Sequence, residues 1–162
     1  VLLAIDTSTS AVGVALLDPA AGAGAGRPGG VPEVLALERL DPRRHGELLA
    51  PMVQEALGVA GDRLTGIAVG VGPGPFTGLR VGVVTALVLG HARELPVHGV
   101  GSLDALALAA VREAAATGTD LGRELLVATD ARRKEVFWGR YAVAGPAGAP
   151  GGSGLPIRRL DG

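Results

Sequence analysis

The sequence predicts an α/β fold built on a mixed sheet with flanking helices. Three observations carry that expectation. Two aliphatic runs, residues 1–5 and Ala11–Leu17, flank a short polar turn at residues 6–10, the pattern of a β-hairpin. From residue 34 onward, apolar runs of strand length alternate with segments whose apolar residues recur at helical spacing. Hydrophobic residues make up 48% of the chain but aromatics only 2%, so Ala, Val and Leu must build the core.

The elements follow in order. After the hairpin, residues 19–32 are Pro, Ala and Gly with one arginine, a loop. Residues 34–40 read as a third strand. Leu48, Leu49, Met52, Val53, Ala56 and Leu57 then mark a helix. Pro51 removes a backbone donor near its start, which predicts a ragged or kinked first turn. Residues 66–72 form a short buried strand that runs into Gly72-Pro73-Gly74-Pro75. A second helix is expected over 77–93 and a strand over 97–100. Ser102 has the chemistry of an N-cap for a third helix, with Asp104 favourable in its first turn. Residues 125–129 and 136–143 read as two strands around a turn whose Arg132, Arg133 and Lys134 form a basic cluster, read as a solvated turn, with RNA contact after docking on a partner as the alternative. The Gly/Pro/Ala-rich tail at 145–154 is expected to be mobile.

An internal similarity bears on organisation. Leu3-Ala4-Ile5-Asp6-Thr7 resembles Val127-Ala128-Thr129-Asp130-Ala131, each an apolar strand ending in Asp before a second strand. That predicts two related units, residues 1–101 and 102–162, the second incomplete. A chain that opens on Val1 without methionine and ends at Asp161-Gly162 is expected to be a piece of a longer one.

Composition removes several function classes. Lys and Arg total 15 against 16 Asp and Glu, a net charge of −1, so no global positive field steers nucleic acid. The chain has no cysteine, which excludes disulfides, thiolate nucleophiles and cysteine-ligated zinc. A mean hydropathy of +0.38 is high for a water-exposed chain and predicts apolar surface meant for a partner. The longest apolar run, 81–90, lies between Arg80 and His91, short of the roughly 20 residues of a membrane span. No signal-peptide pattern opens the chain, so no membrane contact and a cytoplasmic location are expected. Pro75 and Thr77 break the G-x-G-x-x-G spacing, the only lysine lies outside any Walker loop, and no G-x-S-x-G occurs. His45, His91 and His98 form no i,i+4 pair, so no metal site is expected.

Two regions invite functional readings. Asp6, Thr7, Ser8 and Thr9 could cradle a phosphate, with Asp6 holding Mg²⁺ through water; the alternative is a set of Asx- and Ser/Thr-type turns. The loop Gly72-Pro73-Gly74-Pro75-Phe76-Thr77-Gly78-Leu79-Arg80 leads into a helix N-terminus, which favours anions. No catalytic side chain accompanies it, so it reads as a rigid turn holding Phe76 in the core. In the helix that follows, Gly78, Gly82, Ala86 and Gly90 form a smooth ridge every four residues. Leu79, Val83, Val84, Leu87 and Val88 cover the adjacent faces. Such a helix is either buried in its own domain or packed across an interface. The interface reading takes Gly78, Gly82, Val83, Ala86, Leu87 and Gly90, with Leu49, Met52, Val53 and Leu57 of the first helix, as half of a four-helix bundle. On that reading Ala86→Arg separates partners and leaves the monomer folded; on the core reading it unfolds the chain.

Taken in order, Leu3-Ala4-Ile5-Asp6-Thr7-Ser8, His45-Gly46-Glu47-Leu48-Leu49-Ala50-Pro51-Met52, residues 70–82 and Asp130-Ala131-Arg132-Arg133 resemble the successive motifs of the TsaB family. The similarity runs from residue 1 to about 143, and the Gly-Pro-Gly…Phe-Thr-Gly-Leu-Arg block is highly specific. It implies an actin/hexokinase-like (ribonuclease H-like) fold of two subdomains, the second truncated here. It also implies a non-catalytic scaffold that heterodimerises with TsaD to support threonylcarbamoyl transfer to adenosine in tRNA. TsaE and tRNA would be met indirectly through that complex; separately, the helical face described above could pair with its own copy to give a homodimer when TsaD is absent. No cofactor of its own is implied, beyond weak ATP or ADP and Mg at the complex interface. Pro75 departs from the serine usual in this loop. Residues 100–106 hold no histidine where TsaD carries a metal-binding pair. An enzyme of the same fold, a small phosphotransferase using Asp6, Thr7, Ser8 and Thr9, is the alternative.

Overall fold

Side chains that alternate between two faces fix the register of the first hairpin. The computed structural model describes residues 1–19, 33–41, 44–132, 134–143 and 156–162, with backbone only for Glu33 and Arg132. In it β1 (Leu2–Asp6) and β2 (Ala11–Leu17) pair antiparallel, Leu3 opposite Leu16 and Ile5 opposite Val14. Leu3, Ile5, Val12, Val14 and Leu16 are all buried, so a one-residue slip would turn every one of them out of the core. β3 (Glu33–Leu40) extends the antiparallel side, while β4 (Gly66–Gly70) and β5 (Val97–Val100) add in parallel beyond β1. The sheet order is β3-β2-β1-β4-β5. Parallel neighbours need a crossover; α2 (Phe76–Arg93) supplies the one from β4 to β5, and α1 (His45–Ala60) returns the chain from β3 to β4. These elements make up one unit, Val1–Val100.

Both helices cover the face that carries Leu3, Ile5, Ile67 and Val69. α1 starts at His45, earlier than its apolar spacing suggested, and continues through Pro51. Pro51 lies on the exposed side, and no break is assigned there. The small-residue ridge of α2 does not await a partner: it meets this unit's own sheet. Gly78, Gly82, Ala86 and Gly90 are all buried. A Cβ at Gly82 would collide with Thr7 Oγ1, one at Gly90 with Val97 Cγ2, and one at Gly78 would stand 2.9 Å from the Thr7 carbonyl oxygen. Leu49, Met52 and Val53 belong to the same core, and Leu57 and Val83 pack half-buried against it. Of the residues expected at an interface, Leu87 alone is exposed.

The second unit, Gly101–Gly162, sets α3 (Ser102–Thr117) on an antiparallel sheet of β6 (Glu124–Arg132), β7 (Glu135–Val143) and β8 (Ile157–Asp161). Leu103, Ala107 and Tyr141 form its centre, with Leu125, Val127, Phe137 and Ile157 around them. The Tyr141 hydroxyl donates to Asp104 Oδ1 at 2.7 Å, which joins the first turn of α3 to the sheet. Gly101, not Ser102, occupies the N-cap position, without a side-chain cap; Ser102 is the first helical residue and is buried. β8 was not anticipated, because Arg158, Arg159 and Asp161 mask its alternation. Its pairing with β7 is reinforced by Arg140 Nη2 on Asp161 Oδ2 at 2.8 Å. Residues 20–32 of the expected loop, the tail at 145–154 and Arg133 of the basic turn lie outside the described residues. Lys134 in that turn is exposed with φ +67°. No helix among the described residues is long and apolar enough to cross a membrane.

Two outcomes follow from this packing. Ala86 is fully buried, so Ala86→Arg places an unpaired charge in a core, at about 3–5 kcal/mol. Circular dichroism should show a lost or strongly lowered melting transition, whereas a folded variant would return the ridge to the interface reading. Burial, then the hydrogen bond to Asp104, push the Tyr141 phenol up to about 12. The unfolded chain titrates near 10, so the stability of the neutral phenol is complete below that pH. It is lost as pH rises toward the folded value, at about 2–3 kcal/mol in all. Absorbance at 295 nm should report the late titration of this single tyrosine, and Tyr141→Phe should flatten the loss of stability above pH 10.

Candidate partner interface

The turn after β1 and the loop after β4, separate in sequence, form one cluster. Asp6 Oδ1 accepts from both the backbone amide and the hydroxyl of Ser8, each at 2.7 Å, an Asx-type turn. Thr9 Oγ1 accepts from the Ala11 amide at 3.1 Å. His45 Nε2 lies 2.9 Å from the Thr9 carbonyl oxygen; a carbonyl only accepts, so that nitrogen carries the proton. The first residue of α1 thereby holds the turn. Thr7 is fully buried. Its hydroxyl donates to the Gly78 carbonyl at 2.8 Å and accepts from the Gly82 amide at 3.1 Å.

Glycine permits the close approach. A Cβ at Gly74 would fall on the carbonyl of Ser8, and one at Gly70 on the carboxylate of Asp6. Gly72 adopts φ +89°, a left-handed conformation that favours glycine. The expected ligand set Asp6, Thr7, Ser8 and Thr9 is therefore brought together, but each of its side chains bonds the chain itself. Among the described residues, no three His, Asp or Glu side chains converge as a metal site requires.

Phe76 is not in the core. It is 71% exposed, and the Arg80 guanidinium stands 5.1 Å from its ring centroid, within cation–π range. On a helix, positions 76, 80, 84 and 88 lie opposite 78, 82, 86 and 90. With the small ridge turned to the sheet, the large residues must face out. Val84 is 52% exposed, Leu87 55% and Val88 63%, and the exposed His91 ends the stripe. Sequence reasoning picked out the helix but missed Phe76, Arg80, Val84 and Val88 as the outward face. The signal was present: small residues at one phase of a helix leave the bulk at the opposite phase. α1 packs beside α2 and shows the polar Glu47, Gln54 and Glu55 on its own exposed side.

Comparison with known proteins places the chain. Residues 23–150 match the family model of TsaD, tRNA N6-adenosine threonylcarbamoyltransferase. The tRNA threonylcarbamoyladenosine biosynthesis protein TsaB of Escherichia coli is 40% identical over 143 residues, 86% of this chain and 54% of the relative. Its Bacillus subtilis counterpart is 31% identical over 145 residues, again 86% of this chain and 54% of the relative. The solved structure of YeaZ from Pseudomonas aeruginosa superposes with a TM-score of 0.72 at 34% identity, covering 99% of this chain and 64% of that one. The chain thus spans about half the length of the curated TsaB proteins it matches. These likenesses agree with an actin-like fold for the five-stranded mixed sheet and its helices. The chain belongs to the TsaB family of tRNA threonylcarbamoyladenosine biosynthesis proteins, within the wider family that includes TsaD.

Proposed function

We propose that this chain serves tRNA threonylcarbamoyladenosine biosynthesis as a non-catalytic subunit that pairs with TsaD through the outward face of α2. The observation that carries the reading is the exposed stripe of Phe76, Val84, Leu87 and Val88 beside Arg80, on a helix whose other side its own sheet occupies. Contiguous exposed apolar surface marks interaction sites, and an aromatic–arginine pair has the composition of interface hot spots. A helix pair from the partner laid along α2 would complete a four-helix arrangement with α1. The polar side of α1 centres that contact on α2 rather than dividing it evenly.

The scaffold role is supported by the turn of residues 6–9, where the hydroxyls of Thr7, Ser8 and Thr9 bond within the chain. A phosphotransferase would need those groups turned toward a nucleotide. On this reading ATP or ADP with Mg binds weakly and only at the complex interface, and TsaE and tRNA are reached through TsaD. The same stripe pairs two copies when TsaD is absent, and the site of action is the cytoplasm.

Replacing Val84 and Leu87 together by Glu should abolish co-purification with TsaD, a loss of about a hundredfold or more in affinity. Thermal stability should stay within about 0.5 kcal/mol of the parent, because both side chains are exposed. Undiminished pairing by a folded double variant would remove α2 from the interface. Calorimetric titration with Mg-ATP should give weak or no heat in the absence of TsaD; tight binding with turnover would instead favour the phosphotransferase.

A further inference from the structure

The Gly78 carbonyl and the Gly82 amide are four residues apart, the pair that an α-helix ordinarily joins to each other. Thr7 Oγ1 bonds both, donating to one at 2.8 Å and accepting from the other at 3.1 Å. A hydroxyl that bonds both a carbonyl and an amide of one helical turn ties that turn to the strand end. Because the contact uses one donor and one acceptor at one angular position, it admits a single rotation of α2 about its axis. A Cβ on Gly82 would strike the same oxygen and one on Gly78 the Thr7 backbone, so the glycines exist at the depth this contact demands. Arg80 lies two residues beyond Gly78 and two before Gly82, on the opposite side of the helix. Phe76 and Val84 occupy the same outward line.

We infer that Thr7 is a positioning residue: its hydroxyl sets the rotation and depth of the first half of α2, and so the presentation of Phe76, Arg80 and Val84 to a protein partner. The inference rests on the docking reading above for its consequence, but the pinning is a property of this chain alone. Thr7 never reaches the surface and acts only through α2. α2 is continuous α-helix through Gly78 and Gly82, so loss of the hydroxyl leaves that carbonyl and amide their partners within the helix, and the helix re-seats rather than unfolds. His45 braces the same turn from α1 through Thr9, which keeps β1 and β2 in place while α2 shifts.

The test uses Thr7→Val, which keeps the shape and drops the hydroxyl, and Thr7→Ser, which keeps the hydroxyl. In the unsubstituted protein, a slowly exchanging Thr7 hydroxyl proton should be visible by nuclear magnetic resonance with contacts to Gly78 and Gly82. Its absence overturns the inference without any variant having to fold. In Thr7→Val, residual dipolar couplings of residues 76–84 should change while those of β2 and β3 hold. Affinity for TsaD should fall about tenfold, and Thr7→Ser should restore both. Couplings in Thr7→Val that match the parent overturn the pin whether or not TsaD binds. Shifted couplings with undiminished affinity overturn its role in docking. Failure of the unsubstituted protein to bind TsaD overturns the docking reading itself, and with it the role of Thr7 there, while the couplings still decide the pin.

Discussion

One buried hydroxyl dictates how closely the first unit's layers approach. Thr7 Oγ1 must reach both the Gly78 carbonyl and the Gly82 amide, and a helix can come that near a strand end only where it has no side chains. Two glycines inside a helix cost about 1 kcal/mol each relative to alanine. That cost is offset by the hydrogen bonds, by close packing, and by Ala86 and Gly90, which carry the same tight line onward to Val97. Once the small side of α2 is committed to the sheet, its bulk has nowhere to go but outward.

The same commitment links the fold to the docking surface. Phe76, Arg80, Val84 and Val88 are exposed because their diametric neighbours are not. The loop Gly72 to Pro75 delivers the helix at the right height, since Gly74 lies on the Ser8 backbone and Gly70 on the Asp6 carboxylate. A turn whose composition suggests phosphate binding is, in geometry, the joint on which four elements meet: β1 with β2, α1 through His45, and α2 through Thr7.

Local patterns in the sequence carried much of the fold. Two aliphatic runs around a polar turn revealed β1 and β2, though not which faces they bury, and helical spacing in α1 revealed Leu49, Met52 and Val53 as one side. What they pack against was not legible, because a ridge of Gly78, Gly82, Ala86 and Gly90 looks alike whether a sheet or a partner lies across from it. α2 is apolar on nearly every side, so its hydropathy has no phase to report and only residue size does. Phe76 was misread for a related reason: an aromatic residue beside a rigid loop suggests a core anchor until the helix is turned by contacts seventy residues away in sequence. β8 escaped notice since Arg158 and Arg159 interrupt any apolar alternation there, and the Tyr141–Asp104 bond joins residues with no local signal connecting them.

The chain's single tryptophan and single tyrosine, Trp138 and Tyr141, both lie on β7. Tryptophan and tyrosine emission therefore originates in the unit Gly101–Gly162, and the first unit carries neither fluorophore. An emission-detected melt would follow the packing around β7 and leave the unfolding of the first unit unreported. A tryptophan placed at Val88, on the outward line and away from the Thr7 joint, would give the first unit a voice of its own.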